Sequence, residues 1–136
     1  MSDNKNPPVL QVEDLTVHYV VEGEVTEAVS NVTLTLDHGR SLGIVGETGA
    51  GKTTTALSIL RLVPDPPGHI VGGRVLINGK DIYTASRAEL EAIRGNDVAM
   101  IFQDPMTVLN PVFTVGEQIA ECVEIHEMCS KAQARK

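Results

Sequence analysis

Tryptophan is absent, and 136 residues contain only two Tyr and two Phe. That leaves little material for the aromatic platforms on which proteins stack single-stranded nucleic acid. Basic residues are also scarce, 11 Lys and Arg against 18 Asp and Glu for a net charge of −7. No broad cationic surface is therefore available for DNA, RNA or an anionic lipid face, and any phosphate must be held locally. Two cysteines, Cys122 and Cys129, are too few for a disulfide scaffold, and their spacing is not that of a CxxC metal or redox pair. No apolar run approaches the roughly 18 residues of a spanning helix, and Met1 to Pro8 lacks the apolar centre of a signal peptide. Both absences predict a cytoplasmic chain. What is present, 42% hydrophobic residues, suits a globular fold of about one domain.

Val9 to Tyr19 and Val25 to Leu36 alternate loosely in Val, Leu and Thr and predict two strands. Ser41 to Val45 is short and almost continuously apolar, the pattern of a strand buried on both faces. A Gly-rich turn follows, and Thr53 to Leu62 predicts a helix that ends before Pro64-Asp65-Pro66-Pro67-Gly68. Arg74 to Ile77 ends in Asn78-Gly79, a hairpin signal, so a small antiparallel element is expected beside a parallel core. Ser86-Arg87-Ala88-Glu89 and Thr114-Val115-Gly116-Glu117 are capping boxes opening helices, with a strand from Asp97 to Phe102 between them. Ser130 to Gln133 is a third such box, but too few residues follow to sustain a helix.

Gly46-Glu47-Thr48-Gly49-Ala50-Gly51-Lys52-Thr53 fits the pattern GxxxxGK[ST]. Its glycines let successive backbone N–H groups turn inward as an anion nest at the positive end of the next helix. In that arrangement Lys52 reaches the β- and γ-phosphates, Thr53 offers its hydroxyl to Mg²⁺, and Thr54 adds a phosphate contact one residue further on. A dinucleotide fingerprint is excluded, because Gly49-Ala50-Gly51-Lys52-Thr53-Thr54 ends in Thr where GxGxxG requires Gly. No NKxD base-reading motif occurs, and the DxxG match at Asp65 to Gly68 is locked by two prolines, which argues against a GTPase.

Gln103 stands at the carboxyl end of an apolar segment, where open α/β sheets bind ligands. It can touch Mg²⁺ or orient a water there, or simply cap the strand end. The phosphate loop together with Met100-Ile101-Phe102-Gln103-Asp104-Pro105-Met106-Thr107-Val108-Leu109-Asn110-Pro111 and Val115-Gly116-Glu117-Gln118-Ile119 resembles the ATP-binding subunit of ABC transporters. More narrowly it is similar to the oligopeptide, dipeptide and nickel importer branch. Leu57 to Leu60, Leu62 to Gly68 and Gly72-Gly73 extend the likeness, which runs from about Val9 to Lys136. Three Ser positions of the family pattern hold Thr48, Thr53 and Val108 here; the Thr53 change keeps the hydroxyl, and nothing explains Val108.

The resemblance implies an α/β P-loop NTPase core of RecA-like type, incomplete, with a small antiparallel β subdomain and the start of a helical subdomain. Residues 1–8 would be a flexible N-terminus and residues 9–136 the N-terminal part of an ABC-type nucleotide-binding domain, truncated at its C-terminus. It implies ATP and Mg²⁺ as cofactors and Gln103 as the glutamine that contacts Mg²⁺ and the attacking water. Tyr19 falls where the family keeps an aromatic that stacks on adenine; a strand-end tyrosine with a wet hydroxyl is the plainer reading. It also implies transmembrane permease subunits, a second ATP-binding subunit as dimer partner, and, indirectly, a periplasmic or extracellular substrate-binding protein. The place of work would be the cytoplasmic face of the plasma membrane, as a peripheral subunit.

The sequence holds no LSGGQ-like signature, no apolar strand ending in Asp-Glu and no histidine where the family's switch stands. Binding without efficient hydrolysis is the expectation for this chain, since phosphoryl transfer depends on positioning and charge neutralisation. A stand-alone regulatory module and a soluble ABC-type ATPase acting on DNA or ribosomes are alternatives, the second opposed by the acidic charge. Cys122, His126 and Cys129 fall on one helical face, either as metal ligands or, with better precedent for the spacing, as an amphipathic surface.

Overall fold

The computed structural model describes residues 7–104 and 108–135. The elements run β1 (Leu10–Val21), β2 (Glu24–Leu36), α1 (Lys52–Ile59), β3 (Gly68–Ile77), β4 (Lys80–Asp81), α2 (Arg87–Ile93), α3 (Val115–Glu127) and α4 (Lys131–Ala134). Residues 1–90 and 91–136 form two compact units, each described by itself below.

The first unit is built on an antiparallel sheet of order β2-β1-β3-β4. The β-branched run of β1 pairs on both edges, Tyr19 facing Thr26 of β2 and Gly68 of β3. Val12, Leu15 and Val17 of β1 are wholly buried, although Val12 and Leu15 are three residues apart and strict alternation would put them on opposite faces. The register shift between Glu13 and Thr16, with Asp14 at a φ of 48°, brings Leu15 back to the core face. Val29, Val75, Ile77, Ile82, Ser58 and Leu60 complete the core of this unit. Asn78 and Gly79 both have positive φ, 49° and 78°, which matches the expected Asn-Gly hairpin turn between β3 and β4.

Two expected strands are corrected. Ser41 to Val45 makes no ladder among the described residues, and its apolar side chains are exposed, Val45 at 93%. Asp97 to Phe102 forms only the isolated bridge between Arg94 and Val98, and Ile101 is 97% exposed. A short two-sided strand of this kind has no stability of its own; it becomes a strand only when neighbours supply hydrogen bonds and cover both faces. Each segment keeps its apolar composition without such neighbours.

In the second unit the local signals are met. The Thr114 hydroxyl accepts from the Glu117 backbone N–H at 3.2 Å, and Glu117 Oε2 accepts from the Thr114 N–H at 3.1 Å. The Thr114 N–H and hydroxyl, both donating to this carboxylate, hold it below the usual carboxylate range. The third box also forms, with Ser130 donating to Gln133 Oε1 at 3.1 Å, but α4 is a single turn, as its length required. The amphipathic reading of α3 is corrected in part. Ala120 is its one buried residue, and Ile119 and Ile125 are more than 60% exposed. No group of three His, Cys, Asp or Glu residues fit to hold a metal occurs among the described residues, and Cys122 and Cys129 are free thiols. The His126 ring instead packs against the backbone of Gly95.

Of the N-terminus 1–8 expected to be flexible, residues 1–6 lie outside the described residues, as do Pro105, Met106 and Thr107 of the Gln103 loop. The Pro7 carbonyl sits 3.1 Å from His38 Nε2.

Candidate phosphate-binding site

The site begins with a conformational demand on Gly51. It sits at φ 76° as the residue that starts α1, and a Cβ there would collide with the carbonyl oxygen of Ala28 in β2. Only glycine accepts both the left-handed backbone and the close approach. Gly49, also at positive φ, and the 3.2 Å turn bond from Ala50 N–H to the Glu47 carbonyl curl the preceding loop. Gly46, Glu47, Thr48, Gly49 and Ala50 are exposed, while Gly51 and Lys52 are half-buried.

Lys52 closes the curl. Its ammonium donates to the carbonyls of Gly46 and Glu47, both at 2.7 Å, so the loop wraps around its own lysine. Thr53 is exposed in the first turn of α1, and Thr54, half-buried, has its carbonyl engaged by the Ser58 hydroxyl at 2.7 Å. Thr55 Oγ1 donates to the Gly51 carbonyl at 2.9 Å and is buried.

The contrast with the other helices is informative. At α2 and α3 a side-chain oxygen, of Ser86 or Thr114, accepts from a first-turn amide. At α1 the N-cap is Gly51, no side-chain oxygen caps the helix, and no acidic residue stands in its first turn. A helix start leaves its first N–H groups without intrahelical acceptors. At α1 those donors and the positive end of the helix dipole face an exposed glycine loop, which suits an anion with several oxygens. The residues fit the group the sequence implies: amide donors and Lys52 for phosphate, and the Thr53 hydroxyl for a hard cation.

Tyr19 of β1 pairs with Thr26 of β2, two residues along β2 from the Ala28 carbonyl that Gly51 abuts. The register thus sets Tyr19 and the phosphate loop along one stretch of β2, while its ring edge rests against Gly68. Gln103, in the other unit, is exposed in a bend.

Sequence reading missed three positioning contacts. One is the approach of Gly51 to Ala28, for which the Gly at the sixth position of the loop was the available signal. Another is the phenol of Tyr83, which donates to the Ser58 carbonyl at 3.1 Å. The last is a clamp by Gln118. Its Oε1 accepts from the Asn110 N–H at 2.9 Å, while its Nε2 donates to the carbonyls of Asn110 at 3.0 Å and Phe113 at 3.2 Å. Such pairings between a side chain and a distant peptide leave no periodic trace in sequence.

A family model described as "ABC transporter" matches residues 29–136. Among curated relatives, y4tR of Sinorhizobium fredii, named as a probable peptide ABC transporter ATP-binding protein, is 49% identical over 98% of this chain and 40% of its own length. The oligopeptide transport ATP-binding protein OppD of Bacillus subtilis is 44% identical over 94% of this chain and 36% of its own. The chain thus spans about two fifths of the length of these relatives. Of solved structures, the dimeric MJ0796, described as a bacterial ABC transporter cassette, superposes with a TM-score of 0.78 at 24% identity, covering 93% of this chain and 52% of that one. That likeness establishes the fold as part of an ABC cassette.

Proposed function

The chain belongs to the ABC transporter family of ATP-binding domains, and from that premise we propose that it binds Mg-ATP at Gly46 to Thr54 as the nucleotide-gripping part of a peptide-importer ATP-binding subunit. The observation that carries the reading is the uncapped start of α1 beneath a glycine loop that encloses Lys52. The relatives' names, which speak of peptide and oligopeptide transport, support the importer branch.

In this reading Lys52 exchanges its two carbonyl acceptors for β- and γ-phosphate oxygens. The exchange is favourable because hydrogen bonds between two charged groups are stronger than those to a neutral carbonyl. The amides from Gly49 to Thr54 line the same anion. Thr53 and Gln103 would hold Mg²⁺, whose role is to neutralise phosphate charge and fix the phosphate geometry. Gln103 would also orient the attacking water, and Tyr19 would offer its ring to the adenine.

The whole subunit's partners would be membrane permeases, a second ATP-binding subunit and, indirectly, an external substrate-binding protein, with the subunit lying on the cytoplasmic face of the membrane. Among the described residues no helix is long and apolar enough to cross a membrane. The net charge of −7 disfavours a nucleic-acid partner.

Because the sequence contains no signature segment and no Asp-Glu strand, the chain is expected to bind Mg-ATP with turnover at least about 100-fold below the roughly 10 s⁻¹ of ordinary enzymes. Calorimetry and a phosphate-release assay on the purified chain check both halves. Release at an ordinary rate that disappears in Lys52→Ala would contradict the proposed lack of turnover.

A further inference from the structure

We propose that Tyr83 is a positioning residue for the phosphate loop, pinning the far end of α1 so that its N-terminus is held in place. The inference rests on the reading of Gly46 to Thr54 as a phosphate site.

α1 has eight residues, about 12 Å, and a helix that short has no stability of its own. Its direction must come from tertiary ties at its ends. At the N-terminal end, Gly51 abuts the Ala28 carbonyl of β2, an edge strand. At the other end, the Ser58 carbonyl accepts from the Arg61 N–H at 3.0 Å and from the Tyr83 hydroxyl at 3.1 Å.

Tyr83 lies two residues beyond β4, the opposite edge strand, and is itself fixed there. Its N–H donates to Asp81 Oδ1 at 2.9 Å, and its neighbour Ile82, 1% exposed, donates to the Val75 carbonyl of β3 at 2.9 Å. In the sheet order β2-β1-β3-β4 the two ties therefore involve opposite edges. α1 is thus tied at its start to one edge strand and at its end, through Tyr83, to the segment that follows the other.

Within the helix the fastening is relayed by side chains. Ser58, fully buried, donates to the Thr54 carbonyl, and Thr55 donates to the Gly51 carbonyl. A pivot of only about 5° at the Ser58 end would carry the N-terminus by about 1 Å over that length. A misplacement of that size is enough to spoil a preorganised binding geometry. Burial pushes the Tyr83 phenol up to about 12, so it remains a donor throughout the neutral range.

The test is Tyr83→Phe, which keeps the ring and removes the hydroxyl. Mg-ATP affinity is measured by calorimetry well below the melting temperature, and the bound nucleotide is followed by phosphorus NMR. The expected result is a three- to tenfold loss of affinity and a displaced β-phosphate resonance in a chain that remains folded. An affinity within 1.5-fold of the parent with an unchanged resonance would overturn the assignment, even if the melting temperature fell. Absence of Mg-ATP binding by the parent chain would overturn the nucleotide reading, and this inference with it.

A second measurement uses the unaltered protein and does not depend on the variant folding. Coupling between two sites is reciprocal, so saturating Mg-ATP is expected to slow hydrogen exchange at the Arg61 amide, which shares the Ser58 carbonyl, by about fivefold. Unchanged exchange there would also overturn the proposal.

Discussion

Replacing Lys52 by alanine is expected to weaken Mg-ATP binding about 100-fold or more while leaving the fold intact. The lysine would give charged hydrogen bonds to at least two phosphate oxygens, each worth about 1.5–3 kcal/mol, and about 2.7 kcal/mol is already a factor of 100. No other cation can stand in. Lys52 is the only Lys or Arg among residues 41–60, and the chain as a whole is acidic. Stability should change little, because the bonds that Lys52 makes in the free chain go to the carbonyls of an exposed loop that water can satisfy. Calorimetric titration alongside a thermal melt checks both parts. An affinity within threefold of the parent would remove Lys52 from the site.

Gly51→Ala is expected to have the other large effect, and on both properties at once. Alanine at φ 76° carries the left-handed penalty of roughly 1 kcal/mol, and its Cβ would drive into the Ala28 carbonyl, a backbone atom of a paired strand. The loop and β2 must separate, at a total of about 2–4 kcal/mol and a fall in melting temperature of about 10 °C. Mg-ATP binding should be lost, since the amides that follow Gly51 are displaced. Gly49→Ala is the control. It also has positive φ, 84°, but a Cβ there meets nothing within 4 Å, so the stability cost should stay near 1 kcal/mol. Equal melting temperatures for the two variants would show that the contact with Ala28 does not govern the loop.

The division between what could be read in advance and what could not follows the reach of the interactions. The boxes at Ser86, Thr114 and Ser130 close within four residues, so composition alone locates them. Asn78-Gly79 fixes its hairpin in the same local way, and the phosphate loop announces itself through glycine spacing and one lysine. Ser41 to Val45 and Asp97 to Phe102 carry the composition of buried strands, but strand formation depends on partners supplied from elsewhere. For the site, the sequence gives the residues that would touch phosphate. It does not give the supports. Tyr83 is 25 positions from Ser58 and Gly51 lies against Ala28 across a loop and a strand, contacts made by topology and not by any repeating pattern.

The central claim, that this chain grips nucleotide phosphate at the start of α1, is tested most directly by amide NMR of the isotopically labelled chain titrated with Mg-ATP. The predicted result is a saturable set of shifts largest at the backbone N–H groups of Gly49, Ala50, Gly51, Lys52, Thr53 and Thr54, with those of α3 far smaller. No saturable shift, or shifts centred on residues away from Gly46 to Thr54, would contradict it.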